Sequence, residues 1–317
     1  TDDSVWSFFM GEGDGMDMKV VVDFWFEGKE LRHFVRGHMH LSSSLWKKIK
    51  WNGKILINGR QVFNARTALH AGDEITLIWS EENDILPANG PLDIVYEDPW
   101  LLIVNKGPHM IIHPTAKSTQ ETLVNAVAWY FKEKGEDAGI HPVYRLDRNT
   151  TGLVVVAKSA NVQYDLSKSH DSIFREYLAL VGGEIVMGDE AKNIIGEPIG
   201  RKPDSIVEWM VRPDGKPAWT EYMVLAHSWK TSLVRVHLLT GRTHQIRVHF
   251  SHMHHPLLGD DLYGGSIKLI QRQALHAYNV EFLHPVTGEK MKFTAPVPDD
   301  MKSLITNIWP DLDISKL

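Results

Sequence analysis

Asp147 sits between two arginines in "HPVYRLDRNTTGLVVVAKS", residues 141–159. A carboxylate can act as a base or a nucleophile, and a neighbouring guanidinium favours its ionised form. Arg145 and Arg148 flank it, and Asn149, Thr150, Thr151 and Gly152 complete a loop of turn formers. The competing reading is a plain Asp–Arg loop staple before a strand. A second constellation is "LLTGRTHQIRVHFSHMHHPLLGDDLYGG". There Gly241 ends a strand, and Thr243 is the expected cap of a helix with His244 and Arg247 on one face. Arg242 and Arg247 suit a phosphate or carboxylate, because a guanidinium presents a planar fork of donors. His252, His254, His255, Asp260 and Asp261 could instead suggest a metal-dependent hydrolase, but they lack the spacing of two ligands on one helical face followed by a third. No metal is therefore expected. In "FREYLALVGG", Tyr177 is either an ordinary core aromatic or a cleft residue able to stack on a base and exchange a proton.

Elements must hold these side chains. Residues 1–16 read as a flexible acidic tail. A small unit over 17–80 follows, with a strand in "MKVVVDFWF", short helices in "ELRHFVRGHM" and "SSSLWKKIKWNG", the second serine-capped and stopped by Gly53, a strand pair about the Asn-Gly turn of "KILINGRQV", and a strand in "HAGDEITLIW". The polar stretch 81–91 reads as a linker. Residues 92–317 begin with a hairpin in "LDIVYEDPWLLIVNK". A helix follows, given a capping box by Ser118 and Glu121. Strands then outnumber helices, and "EWMVRPDGKPAWTEYMVLAHSWKTSLVRVHLLTG" supplies three in succession. The fold class is α+β: a mixed, largely antiparallel sheet with flanking helices, preceded by a small α/β domain.

Of the 317 residues, 43% are hydrophobic and 23% charged, which suits globular domains with sizeable cores. Cysteine is absent, so disulfides, thiolate nucleophiles and Cys-type zinc sites are excluded. No apolar run is long enough for a membrane span and no secretory pattern opens the chain, so a cytoplasmic location is expected. The net charge of -6 hides an uneven distribution. Residues 31–72 contain no acid, yet they carry Arg32, Arg36, Lys47, Lys48, Lys50, Lys54, Arg60 and Arg66. On charge alone that run is either a solvated face or a phosphate-binding surface.

Five ordered blocks carry a resemblance. "YRLDRNTTGLVVVAKS" resembles the "HRLDxxTSGLLLxAK" signature of the RluA-type pseudouridine synthases, and "VNKGPHMIIHP" their "xNKPxGLxVHP". "EPIGRKPDSIVEWMVRPDGKPAWTEYMVL" is similar to "PIGR…GKxAxTxYxVL", "LLTGRTHQIRVHFSHMHHPLLGDDLYGG" to "TGRTHQIRVHxxxxGHPxxGDxxYG", and "ALHAYNVEFLHP" to "xLHAxxLxFxHP". The front unit resembles the RNA-binding domain first named for the fourth small-subunit ribosomal protein. That resemblance turns Lys47, Lys48, Lys50, Lys54 and Arg60 into expected RNA contacts.

The resemblance implies uridine-to-pseudouridine isomerisation in RNA without a cofactor. Asp147 becomes the catalytic carboxylate, attacking the sugar or removing a ribose proton, and Tyr177 stacks on a flipped-out uracil. Arg247 pairs with Asp147. Arg145, Arg242 and His244 lie at the substrate, Arg145 bracing the loop or meeting phosphate. The implied partner is ribosomal RNA, with transfer RNA as the alternative, and the implied state is a monomer. A non-catalytic RNA-binding or ribosome-assembly protein on the same fold is the competing reading. Three letters depart from the pattern: Tyr144 where histidine is usual, Thr151 for serine, and Arg175 for lysine.

Overall fold

Asn58 and Gly59 both take positive φ, 50° and 75°, which gives a two-residue turn the twist that antiparallel strands need. The turn joins β3 (Lys54–Ile57) to β4 (Arg60–Gln61). In the computed structural model, which describes residues 7–10, 16–39, 41, 43–79, 85–115, 121–168, 173–186 and 193–317, this hairpin edges a five-stranded sheet. Its other strands are β1 (Ser7–Met10), β2 (Met16–Val21) and β5 (Glu74–Trp79), in the order β1-β2-β5-β3-β4. Helices α1 (Leu31–Gly37) and α2 (Ser43–Asn52) cover it, burying Leu31, Phe34, Val35 and Ile49 against Ile75 and Leu77. The expected tail over 1–16 is corrected here. Ser7–Met10 pairs with Met16–Lys19, because a backbone edge accepts a strand whatever its composition.

The large unit is built on a ten-stranded sheet. Its strands are β6 (Ile94–Glu97), β7 (Leu101–Lys106), β8 (His141–Pro142), β9 (Thr151–Ala157), β10 (Ile173–Gly182), β11 (Asn193–Ile195), β14 (Thr220–Ser228), β15 (Thr231–Leu238), β16 (Leu275–Leu283) and β17 (Lys290–Thr294). The order is β11-β14-β15-β10-β16-β9-β7-β6, with β17 on β16 and β8 on β9. All pairs are antiparallel except β16 with β9, so the α+β expectation holds. "TGLVVVA" is buried at every position, as a central strand covered on both faces must be. Helices α3 (Leu123–Lys134), α4 (Ala160–Ser167), α5 (Gln245–His252) and α6 (Asp299–Ile308) flank the sheet.

One local expectation needs correction, and two others gain detail. The cap of α3 is Thr122, whose hydroxyl accepts from Asn125 N, while Ser118 lies outside the described residues. The expected run of three strands is present, and its first member, β13 (Trp209–Val211), pairs with β12 (Ile199–Arg201) outside the main sheet. The expected linker is anchored at its far end, where Asn125 bonds the backbone of Leu86 and Ala88. Among the described residues no helix is long and apolar enough to cross a membrane.

Candidate active site

Asp147 hangs in the loop between β8 and β9, turned by Thr150 N donating to Asp147 O at 3.1 Å. Facing it is α5, buried from Gln245 to Phe250, which brings Arg247 across 100 residues of chain. Arg247 Nη1 donates to Asp147 Oδ2 at 3.0 Å, and Nε and Nη2 clamp Asp260 Oδ2 and Oδ1 at 2.7 and 2.8 Å. The side chain of Asp260 is 0% exposed and that of Asp147 is 27%, so the guanidinium is anchored from behind and open in front. The Tyr263 ring lies 4.9 Å from its carbon, a cation–π contact.

The second oxygen of Asp147, Oδ1, faces His244 Nε2 at 3.9 Å, beyond hydrogen-bond length. His244 rather than Thr243 is the residue ahead of α5, and it adopts left-handed φ of 56°. The expected Thr243 cap is thus corrected: the chain spends a strained residue to turn the imidazole into the site. Trp209 N donates to Tyr263 Oη at 3.0 Å, and that hydroxyl lies 2.8 Å from His244 Nδ1. We assign the Tyr263 proton to this contact, which leaves the imidazole proton on Nε2, toward Asp147.

Burial acts against charge at several of these groups. It opposes the Arg247 cation, but the hydrogen bonds and charge of Asp260, then those of Asp147, outweigh it and raise the pKa. Burial lowers that of His244 below the ordinary histidine value against the pull of Asp147, so the ring is neutral at pH 7. Burial raises that of Tyr177, which stays a neutral phenol.

The loop is also held from beneath. Lys106, 1% exposed, donates to the carbonyls of Gly107, Met110 and Arg148 at 2.7, 3.0 and 3.1 Å. Burial pulls its pKa below the usual lysine value against the charge of Asp147. Three carbonyls match the three donors of an ammonium. Gly152 has φ of 110°, and a Cβ there would stand 2.2 Å from Ala277 O, so only glycine lets the loop enter β9 this close to β16.

The structure gathers Arg145, Asp147, Tyr177, Arg242, His244 and Arg247 around one pocket of about 60 Å³. That is room for a few waters, and Arg145 and Arg242 are exposed at its edge. The pocket lining includes none of Lys47, Lys48, Lys50, Lys54 and Arg60, which stand on the smaller unit. Sequence reasoning missed Asp260 and Tyr263 as site residues, although both are fixed letters of "GDxxYG". Asp260 turns inward to Arg247, and among the described residues no three of His, Cys, Asp or Glu could together hold an ion. Tyr144 lies outside the pocket lining; its hydroxyl donates to Leu153 O at 3.1 Å, and Arg175 lies 5.1 Å over its ring.

Comparison with known proteins shows the family of the chain. A family model described as RNA pseudouridylate synthase matches residues 100–252. The chain is 39% identical over 290 residues to ribosomal large subunit pseudouridine synthase D of Vibrio parahaemolyticus, covering 86% of this chain and 88% of the relative. It is therefore a member of the RluA-type RNA pseudouridine synthases. Such enzymes isomerise uridine in RNA. The corresponding protein of Escherichia coli strain K12 is 36% identical over 281 residues, with 83% and 85% covered. An uncharacterized RNA pseudouridine synthase, YjbO, of Bacillus subtilis is 39% identical over 275 residues, with 85% and 96% covered. Among solved structures, human RNA pseudouridylate synthase domain containing 1 matches with a TM-score of 0.53 at 28% identity, over 65% of this chain and 83% of that one.

Proposed function

We propose that this synthase modifies uridines of structured ribosomal RNA, with Asp147 as the reactive carboxylate. The observation that carries the assignment is the unequal use of its two oxygens in a pocket-lining residue: Oδ2 is held by Arg247 at 3.0 Å, while Oδ1 has the long His244 contact at 3.9 Å. Oδ1 is the atom that attacks the sugar or takes a ribose proton as the bond from base nitrogen to ribose breaks. The uracil then turns and rejoins the ribose through a ring carbon as Asp147 is released, leaving the sugar or returning its proton to the ribose. That carbon loses its proton with the help of Tyr177, and the freed ring nitrogen takes one up, so no atom is gained or lost. A uridine inside folded RNA reaches this atom only if it is flipped out, at a cost of a few kcal/mol. Tyr177, neutral and buried beside Asp147, offers its ring to the uracil. The exposed Arg145 and Arg242 meet the flanking phosphates.

The chain divides in this reading into an RNA-binding unit over 17–80 and a catalytic unit over 92–317. Lys47, Lys50, Lys54 and Arg60 are exposed, and Lys50 lies 5.1 Å over the ring of Trp51, itself 74% exposed. Cations interleaved with an exposed aromatic suit a nucleic-acid strand. A ribosomal substrate is supported by the relatives of Vibrio parahaemolyticus and Escherichia coli, which are ribosomal large subunit pseudouridine synthases.

The deciding experiment maps pseudouridine by carbodiimide modification in ribosomal RNA exposed to purified protein. Wild type is expected to create new sites, and Asp147→Asn and Asp147→Ala to create none while still folding and binding RNA. An active Asp147→Ala variant would refute the assignment. Replacing Lys47, Lys50, Lys54 and Arg60 by glutamine should make the salt dependence of RNA binding shallower, by about 0.7–0.9 in log–log slope per lost phosphate contact. An unchanged slope would remove the RNA role of the front unit.

A further inference from the structure

The stretch just after Asp147 is fastened, residue by residue, to the chain entering β16. Asn149 O accepts from Arg272 Nη1 at 3.2 Å, Thr150 Oγ1 from Gln273 Nε2 at 3.3 Å, and Thr151 Oγ1 lies 2.9 Å from His276 Nδ1. Thr151 then pairs with His276 and Gly152 with Ala277 across the parallel strands. Arg272 differs from the other members of this row because its far side reaches out of the site. Nε and Nη2 form a two-point clamp on Asp300 at 2.7 and 2.8 Å, while Nη1 also meets Gln273 O and Leu275 O at 3.1 and 3.3 Å. The Arg272 side chain is 4% exposed and that of Asp300 is 42%.

Asp300 lies in the first turn of α6, where its Oδ1 also accepts from Met301 N at 2.7 Å. That helix buries Met301 and Ile305 in the same cluster as Leu178 and Leu180, on the strand that carries Tyr177. A surface carboxylate on the C-terminal helix is thus joined to the reactive loop through one buried guanidinium and two residues of backbone. The fork on Asp300 sets the plane of that guanidinium, and the plane decides whether Nη1 points at the loop carbonyl.

We propose that Arg272, oriented by Asp300, is a positioning residue of the isomerisation: it fixes the backbone at Asn149 and thereby the aim of Asp147. The inference rests on Asp147 being the reactive carboxylate. Neither residue lines the pocket. Misplacement of a reacting group by about 1 Å costs on the order of a hundredfold in rate. Asp300 is half exposed but Arg272 is buried, so losing the Asp300 charge should lower stability as well; a rate loss that persists well below the melting midpoint, with RNA affinity unchanged, is what a purely structural role would not give.

The test uses the full-length protein and ribosomal RNA, comparing wild type, Asp300→Asn, Asp300→Glu, Arg272→Lys and the Asp300→Asn/Arg272→Lys double variant. Single-turnover rate at saturating enzyme, RNA affinity and melting midpoint are read for each. Asp300→Asn and Arg272→Lys are expected to slow the single turnover about 10- to 100-fold at temperatures well below each variant's melting midpoint, with RNA affinity close to wild type. Asp300→Glu should recover most of the rate. The double variant should be no slower than the slower single, since both act through one path. Wild-type rates in Asp300→Asn overturn the proposal. So does a rate loss that only tracks the midpoint or the affinity, or a double variant slowed by the product of the two singles. Should Arg272→Lys fail to fold, the two Asp300 variants decide alone. A wild-type protein that makes no pseudouridine, or an active Asp147→Asn, instead refutes the reading of Asp147 and this inference with it.

Discussion

Replacing Asp260 by alanine tests whether Arg247 is held from behind. Asp260 makes two of the three hydrogen bonds between Arg247 and its carboxylate partners, and both side chains are buried, at 8% and 0% exposure. Removing one partner of a buried ion pair costs about 3–5 kcal/mol, because the remaining charge loses its compensation. Against a total stability of about 5–15 kcal/mol that is a large fraction. At roughly 2–4 °C per kcal/mol for a unit of this size, the melting midpoint should fall by roughly 6–20 °C. Asp147→Ala removes one bond from a partly exposed position and leaves the Asp260 clamp in place, so its cost should be on the order of 1 kcal/mol. The two carboxylates on one guanidinium are therefore expected to behave in opposite ways. Asp147→Ala abolishes turnover in a nearly wild-type fold. Asp260→Ala unfolds early, and below its midpoint it turns over slowly because an unanchored Arg247 can swing onto Oδ1. Urea unfolding followed by tryptophan fluorescence, beside single-turnover pseudouridine formation, measures both. An Asp260→Ala variant that melts with wild type, or an Asp147→Ala variant that is the less stable of the two, would refute the anchoring of Arg247 by Asp260.

Two pH effects follow from buried imidazoles. His244 is neutral at pH 7 because burial lowers its pKa; once protonated, below the ordinary histidine range, it becomes a cation facing Asp147 Oδ1. The single-turnover rate should therefore drop on that acid side, and His244→Gln should lack this component; superimposable acid limbs would contradict it. His276, 1% exposed, is pushed down to about 4, chiefly by burial. The folded state then binds fewer protons than the unfolded one, so stability is full above about 6.5 and is lost as pH falls toward 4, by roughly 3 kcal/mol. Urea midpoints between pH 7 and 4 should fall more steeply in wild type than in His276→Gln, and equal slopes would refute the burial argument.

The strand pattern and turn chemistry were legible in local sequence, because each rests on periodicity or on a residue such as Gly59 that a turn demands. Sheet order was not, and the site depends on it. Asp147 meets the row from Arg272 to His276 only because β9 lies beside β16 as the sheet's one parallel pair, a neighbourhood that no spacing in the chain encodes. The Asp147–Arg247 pair was anticipated only from the family resemblance. Asp260 escaped because a buried carboxylate and a metal ligand look alike in one dimension.

The departures from the family pattern show the same limit from the other side. Read singly, Tyr144, Arg175 and Thr151 are three unrelated letters. In space Tyr144 and Arg175 meet, the guanidinium lying 5.1 Å over the ring. A planar delocalised cation stacks on an aromatic face where an ammonium makes only a point contact, so Arg175 in place of lysine suits tyrosine in place of histidine. Thr151 keeps the hydroxyl that reaches His276, so that contact does not need serine. If the first two changes form one exchange, reverting Tyr144 to histidine alone should cost more stability than reverting it together with Arg175→Lys. A double-mutant cycle on urea midpoints measures the difference, and additive costs would show that the stacked pair is not coupled.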